Sequence, residues 1–270
     1  MSSLVLPRRA FIADLGKGAF ALAVFGIAGC APGSSPSASA GPSAAASASG
    51  GSADPGAGAS PSADASAPGT IEPATGSGWS RVNLGFVSAY VLVRGGEAAI
   101  VDTGVAGSER AIGDAIAAVG LGWDAVAHVI LTHNHRDHAG SAAAIMDLAK
   151  DATGYAGGED IAGVTVPRAL VPVQDGDSVF DLRVVTAPGH TAGSICVLDE
   201  TASVLVAGDA LRTADGRPTL PGAEFTADLD QAVDSVAKLA TLTFETLLVG
   251  HGEPIDAGAA AMVAVLATQR

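Results

Sequence analysis

Between Thr132 and Gly140 the chain reads THNHRDHAG, which places His133, His135 and His138 beside Asp137 in one short loop. The whole chain holds six histidines, so half of them fall here. Imidazole nitrogens and carboxylate oxygens are ligands for zinc, iron or manganese. In a loop just past a strand end, His133 and His135 can turn toward one point, and Asp137 and His138 toward a second point nearby. One such cluster supplies two ligands per metal, so closed sites need groups from elsewhere in the chain.

Those groups are present. His190 lies in APGHTAGS, Asp209 in AGDA and His251 in VGHG. The pattern repeats: an apolar strand, then a ligand, with glycine beside it to permit tight turns and close backbone approach. Asp102 closes another apolar run, in VDTG. Each residue taken alone has an ordinary reading. A lone histidine is usually a satisfied surface or core residue, and Asp209 or Asp102 alone could cap its own turn. The ordered set carries the chemistry. His128 is left over and reads as structural.

The elements that must position these loops follow from periodicity and punctuation. Residues 86–94 and 98–101 read as strands joined by a Gly95-Gly96 turn. Ser108 to Val119 reads as a helix, with Ser108 as N-cap and Gly120 as stop. A short strand at 128–131 runs into the histidine cluster, and a helix follows at 140–150. Further strands are expected at 169–173, 183–186, 194–198, 203–207 and 246–249, with helices at 226–239 and 256–268. This mixture predicts an α+β fold of antiparallel sheets covered by helices.

These motifs resemble those of the metallo-β-lactamase superfamily. The resemblance runs from Asp102 to His251, through His-x-His-x-Asp-His, Gly-His-Thr-x-Gly-Ser, Gly-Asp and Gly-His in that order. It implies a four-layer αββα sandwich with metals at one edge of the sheets. It implies that His133, His135 and His190 hold a first metal, and that Asp137, His138 and His251 hold a second. Asp209 would bridge the two, and Asp102 would orient ligands from behind. Two divalent ions are expected, zinc above all, with manganese or iron as alternatives. The implied activity is hydrolysis of an ester, thioester, lactone or amide by a metal-bridged hydroxide, with Asp137 orienting it or passing its proton. Two other readings stand beside it: a mononuclear-iron persulfide dioxygenase, and a non-catalytic metal-binding surface lipoprotein.

Departures from particular members narrow the substrate, which is expected to be a small molecule. Glyoxalase II enzymes carry a helical extension after the last ligand, whereas 19 residues follow His251 here. Lactonases of this type place a tyrosine shortly after the bridging aspartate, where this chain has Ala210-Leu211-Arg212. True β-lactamases of the superfamily generally lack an aspartate at the Asp209 position. Trp79, Phe86 and Arg212 are candidate pocket residues by their nearness to motif loops.

Composition bounds the rest. Residues 77–270, the expected domain, hold 24 acidic and 11 basic side chains, which argues against a nucleic-acid partner. Residues 1–30 resemble a twin-arginine signal peptide, with Arg8-Arg9, an apolar run from Gly18 to Gly29 and a lipoprotein box ending in Cys30. That resemblance implies export, lipid attachment at Cys30 and an anchor in the cell membrane. Residues 31–76 are almost wholly Ala, Ser, Gly and Pro, the composition of a flexible tether. Cys196, in an apolar run, is expected to be a buried core thiol.

Overall fold

The computed structural model describes residues 70–74 and 78–269. The expected signal segment, Cys30 and nearly all of the expected tether lie outside the described residues. The chain joins the fold at Thr70, ahead of the expected domain start at Ser77. There it adds an edge strand, β1 (Thr70–Ala74), antiparallel to β2 (Trp79–Asn83). Pro73 lies within β1, and an edge strand is where proline is tolerated.

The first sheet runs in sequence order. After β1 and β2 come β3 (Ser88–Arg94), β4 (Glu97–Val101), β5 (Val126–Ile130), β6 (Thr153–Gly157) and β7 (Val171–Val173). Strands β1 to β4 pair antiparallel, but β4, β5, β6 and β7 pair parallel. The parallel half follows from its connections. Helix α1 (Glu109–Ala118) carries the chain back from β4 to β5, while α2 (Arg136–Ala139) and α3 (Ala142–Leu148) carry it from β5 to β6. The second sheet has the order β14-β11-β10-β9-β8, from β8 (Ser178–Val179), β9 (Leu182–Thr186), β10 (Ile195–Asp199), β11 (Val204–Val206) and β14 (Thr246–Leu248). Here β14 lies parallel to β11, reached through α4 (Leu229–Leu239). A small hairpin, β12 (Arg212–Ala214) and β13 (Arg217–Thr219), projects after β11, and α5 (Ala259–Ala267) ends the fold. The sheets are therefore mixed and not antiparallel throughout, a correction to the expected pairing. The helix expected over 140–150 is shorter, α3 alone, and the separate short helix α2 precedes it; between them the Ser141 hydroxyl donates to Val105 O and accepts from Ser108 N.

Side-chain alternation builds the layers. In β3, Tyr90 and Leu92 face the second sheet while Ala89 and Val91 face α1 and α3; in β4, Ala99 and Val101 face inward while Ala98 and Ile100 face the helices. The second sheet mirrors this. Val197, Val206 and Leu248 join the middle layer, while Cys196, Leu205 and Leu247 meet α4 and α5. Helix α1 buries Ile112, Ala115 and Ile116 at helical spacing, and α4 buries Ala232, Ser235, Val236 and Leu239. Three apolar layers between four structural layers give an αββα sandwich, as the motif resemblance implied. Each fully buried branched side chain contributes about 1.5–3 kcal/mol. Cys196 is completely buried in the α4/α5 layer, as expected.

Candidate metal centre

Parallel pairing gathers the motif loops. Because β4 and β5 run parallel, their C-terminal ends share one edge, and these ends carry Asp102 and the Thr132–His138 loop. Strands β11 and β14 do the same in the second sheet for Asp209 and His251. The β9–β10 connection delivers His190, and the bond from Ile195 N to Thr132 O (2.8 Å) ties it to the first sheet. All seven expected ligands thus reach one place. Three overlapping groups could each hold an ion: His133, His135 and His190; His133, His138 and Asp209; Asp137, His138 and His251. Their donor atoms lie within 4.8 Å of one another in each group.

The hydrogen bonds behind the imidazoles fix which nitrogen faces inward. Asp102 Oδ1 accepts from Thr132 N (2.8 Å), and its Oδ2 accepts from Thr132 Oγ1 (2.8 Å) and His138 Nδ1 (2.8 Å). With its proton given to Asp102, Thr132 Oγ1 is left to accept from His133 Nδ1 (3.1 Å). Thr226 Oγ1 donates to Gly222 O (2.8 Å), so it in turn accepts from His190 Nδ1 (3.3 Å). Phe86 O accepts from His251 Nδ1 (2.7 Å). Four histidines therefore carry their protons on Nδ1 and aim Nε2 inward, the tautomer that outer partners impose on metal-ligating histidines.

Those inward atoms lack satisfactory partners among themselves. His138 Nε2 and His251 Nε2 lie 3.4 Å apart, and His190 Nε2 lies 3.0 Å from His135 Nδ1. His133 Nε2 is buried with no hydrogen-bond partner at all. Asp209 Oδ1 is likewise buried without a hydrogen bond, although His138 Nε2 is 3.3 Å away. Asp209 Oδ2 lies 3.5 Å from His190 Nε2 and 3.2 Å from His251 Nε2, so this carboxylate sits between the two ligand groups. Asp137 Oδ2 is 3.2 Å from His251 Nε2. Two orphaned buried atoms amid crowded imidazoles and carboxylates fit a divalent cation, since a buried polar atom without a partner costs about 1–3 kcal/mol.

The charges obey the same crowding. Burial pulls His133 well below the usual imidazole range, and the nearby imidazoles add to the effect. Burial likewise brings His190 down to about 4, against the attraction of Asp209. Burial also opposes charge on His138 and His251. There the carboxylates outweigh it: Asp102 and Asp209 hold His138 at about 10, and Asp137 and Asp209 hold His251 at about 9. For Asp209, burial opposes ionisation but the adjacent His138 and His251 imidazoles win, and its carboxyl lies far below the usual range. Asp137 is lowered by the same balance, with His251 as its chief partner. The site draws positive charge to its centre.

Beside these groups opens a cavity of about 990 Å³, whose walls include His135, Asp137, His190, Asp209 and His251. Phe86 and Arg212 line it as expected, and Phe86 stacks over His251 with ring centroids 6.1 Å apart. Trp79 does not belong to it. It is buried between the sheets, donating to Asp199 Oδ2 (2.9 Å), which corrects its expected place. His128 lies apart from the centre, against Tyr155 and Phe180, in the structural role expected of it. Sequence reasoning missed Thr132, Asp160 and Thr226. Thr132 could have been found as the polar residue leading into the histidines, whereas the other two have no local signal.

Known proteins place the chain in a family. The sequence model of the metallo-beta-lactamase superfamily matches residues 82–251. A probable metallo-hydrolase of Bacillus subtilis (strain 168), YflN, is 29% identical over 170 residues, covering 47% of this chain and 64% of that protein. A hydroxyacylglutathione hydrolase of Shewanella sp. (strain ANA-3) is 34% identical over 134 residues, covering 45% of this chain. The chain spans 46% of that enzyme's length. The crystal structure of a metallo-beta-lactamase family protein from Thermus thermophilus superposes with a TM-score of 0.57 at 27% identity, covering 67% of this chain and 73% of that one. With sandwich, ligand order and family match in agreement, the chain belongs to the metallo-beta-lactamase superfamily.

Proposed function

We propose that this protein is a metal-dependent hydrolase that cleaves an ester, thioester, lactone or amide bond of a small molecule. The observation that carries the reading is the convergence of five imidazoles and two carboxylates in three overlapping groups, with His135, Asp137, His190, Asp209 and His251 open to one cavity and His133 and His138 buried behind them. His133, His135 and His190 would hold one divalent cation, Asp137, His138 and His251 a second, and Asp209 would reach both. When bound, two such cations supply Lewis acidity and lower the pKa of water toward neutrality. The chain's own groups do the rest. Asp137 is part-exposed on the cavity wall, where it can orient an attacking water and take up its proton. Asp102 and Thr132 keep His138 and His133 in their tautomers. Thr226 and the Phe86 carbonyl do the same for His190 and His251. The likeness to hydroxyacylglutathione hydrolases supports keeping thioesters in the substrate class. The full set of seven ligands supports hydrolysis over persulfide oxidation, which in the resembling members uses fewer of them.

The test is a screen of zinc- and manganese-loaded protein against ester, thioester, lactone and β-lactam substrates. Turnover that disappears on chelation and in His190→Ala supports the reading. A protein that binds two metals yet turns over none of the four classes overturns it.

For the N-terminal segment we propose export through the twin-arginine route and lipid attachment at Cys30, both supported by the order of Arg8-Arg9, apolar run and cysteine box. No helix among the described residues is long and apolar enough to cross a membrane. Replacing Arg8 and Arg9 with Lys is expected to block export, and Cys30→Ser to abolish labelling by a radiolabelled fatty acid. Normal export of the first variant or normal labelling of the second would contradict the proposal.

A further inference from the structure

We propose that Asp160 is a positioning residue that locks the His133–His135 loop to the His190 loop, and so sets metal affinity at the first ligand group but not at the second. The inference rests on the reading that these histidines are ligands. Asp160 belongs to none of the three candidate ion-holding groups, yet its side chain is almost wholly buried. It lies in the short turn of residues 158–163 that follows β6. Its Oδ2 accepts from Asn134 N (3.0 Å) and from Thr191 Oγ1 (2.6 Å), and its Oδ1 accepts from Gly193 N (3.0 Å). Asn134 sits between His133 and His135, and Thr191 follows His190 directly. One carboxyl group therefore spans the two loops that carry the first ligand group. Thr191 is fixed in turn, because its N donates to Ser194 Oγ (3.0 Å) and its hydroxyl lies 2.6 Å from the same oxygen.

The packing around this turn leaves no slack. A Cβ on Gly193 would lie 2.6 Å from Asp160 N, one on Gly157 would lie 2.0 Å from Gly193 O, and one on Gly163 would lie 2.6 Å from Asn134 Nδ2. The turn, the His133–His135 loop and the His190 loop touch closely wherever a side chain would separate them.

The second group is supported from the opposite side. Arg81 Nη2 donates to Gly252 O (3.1 Å), its Nη1 pairs with Glu253 Oε2 (2.6 Å), and Tyr90 Oη donates to Val249 O (2.7 Å). These contacts hold the His251 loop, while Asp102 and Thr103 hold His138. None of them involves Asp160; Asp102 reaches both groups, through His138 and through Thr132 to His133, whereas the bonds of Asp160 go to the His133–His135 and His190 loops.

Asp160→Asn keeps the shape but turns one acceptor oxygen into an NH2 group that faces donors. The experiment titrates the full chain with Zn²⁺ against a chromophoric chelator that resolves two sites, and follows amide hydrogen exchange in the metal-free protein. The expected result is a loss of about 10- to 100-fold in affinity at one site, the size seen when outer partners of metal ligands are removed, with the other site unchanged. Amides of residues 133–135 and 190–193 should exchange faster, while those of β4 and β10 keep their protection. Thr191→Val should move both readouts the same way by less. Unchanged affinity and exchange, equal loss at both sites, or faster exchange throughout the fold would overturn the proposal. A wild-type chain that binds no metal would sink the proposed function instead, and the exchange measurement would then decide this inference alone.

Discussion

Asp102 sits at φ +61°, a left-handed conformation that Asp adopts more readily than most residues. At that angle its carboxylate takes bonds from Thr132 N, Thr132 Oγ1 and His138 Nδ1, and through Thr132 it also fixes the proton of His133. Asp102→Asn preserves the backbone preference but gives up part of this acceptor capacity. The expected outcome is a folded protein, by circular dichroism, whose metal affinity falls about 10- to 100-fold. Unchanged affinity would remove Asp102 from the centre's design. At Cys196, burial raises the thiol to about 12, and the sulfur rests against Ala207 O at 3.5 Å. Iodoacetamide at about pH 8 should leave the Cys196 peptide unmodified in the native chain and label it fully in urea, as read by mass spectrometry. The seven residues that converge were legible in the sequence because their motifs are contiguous and distinctive. Asp160 and Thr226 were not, because each acts on a partner 26 or 36 positions away that only folding brings near.

Elements matter here through where they stop. The proposed ligands lie in the segments that follow β5, β9, β11 and β14, with Asp137 and His138 on the short helix α2, and the turn after β14 is cramped. A Cβ on Gly250 would come within 2.4 Å of both Asp209 Oδ1 and His138 Cε1. Gly250→Ala must therefore displace His138, Asp209 or the His251 loop. Displacement of about 1 Å at a reacting centre costs on the order of 100-fold in rate, so turnover on any substrate found should fall by about that factor while the fold survives. Wild-type kinetics in Gly250→Ala would contradict the geometry. Strand positions were largely readable, since β3, β4 and β10 are apolar runs bounded by glycine or charge. Their direction was not, because parallel pairing is decided by the crossover helices and not by the strand residues. The helix expected from Thr226 begins instead at Leu229, where Asp228 Oδ1 caps Gln231 N (3.0 Å). That delay frees Thr226 to hold His190, an allocation that helical periodicity cannot reveal.

The described domain is a frame that brings two sheet edges together at one centre. Its middle layer is the part both sheets share. Leu92, fully buried there, should cost about 2–5 kcal/mol when replaced by Ala, whereas Val265→Ala on the exposed face of α5 should stay within about 0.5 kcal/mol. Urea unfolding monitored by tryptophan fluorescence compares the two, and equal effects would contradict the layer assignment. At this scale the sandwich was implied by the resemblance of motifs more than by the element pattern. The edge strand β1 escaped notice because Thr70–Ala74 contains Pro73 and follows an Ala/Ser/Gly/Pro-rich tract. Everything proposed for the centre depends on these loops meeting to hold two divalent cations. Elemental analysis of the purified full chain, before and after reconstitution with metal, reads that property without a substrate. Close to two equivalents of zinc, manganese or iron per chain are expected, falling to one or fewer in His138→Ala. A chain that retains no metal after reconstitution, or a His138→Ala variant that still holds two, would contradict the two-metal centre.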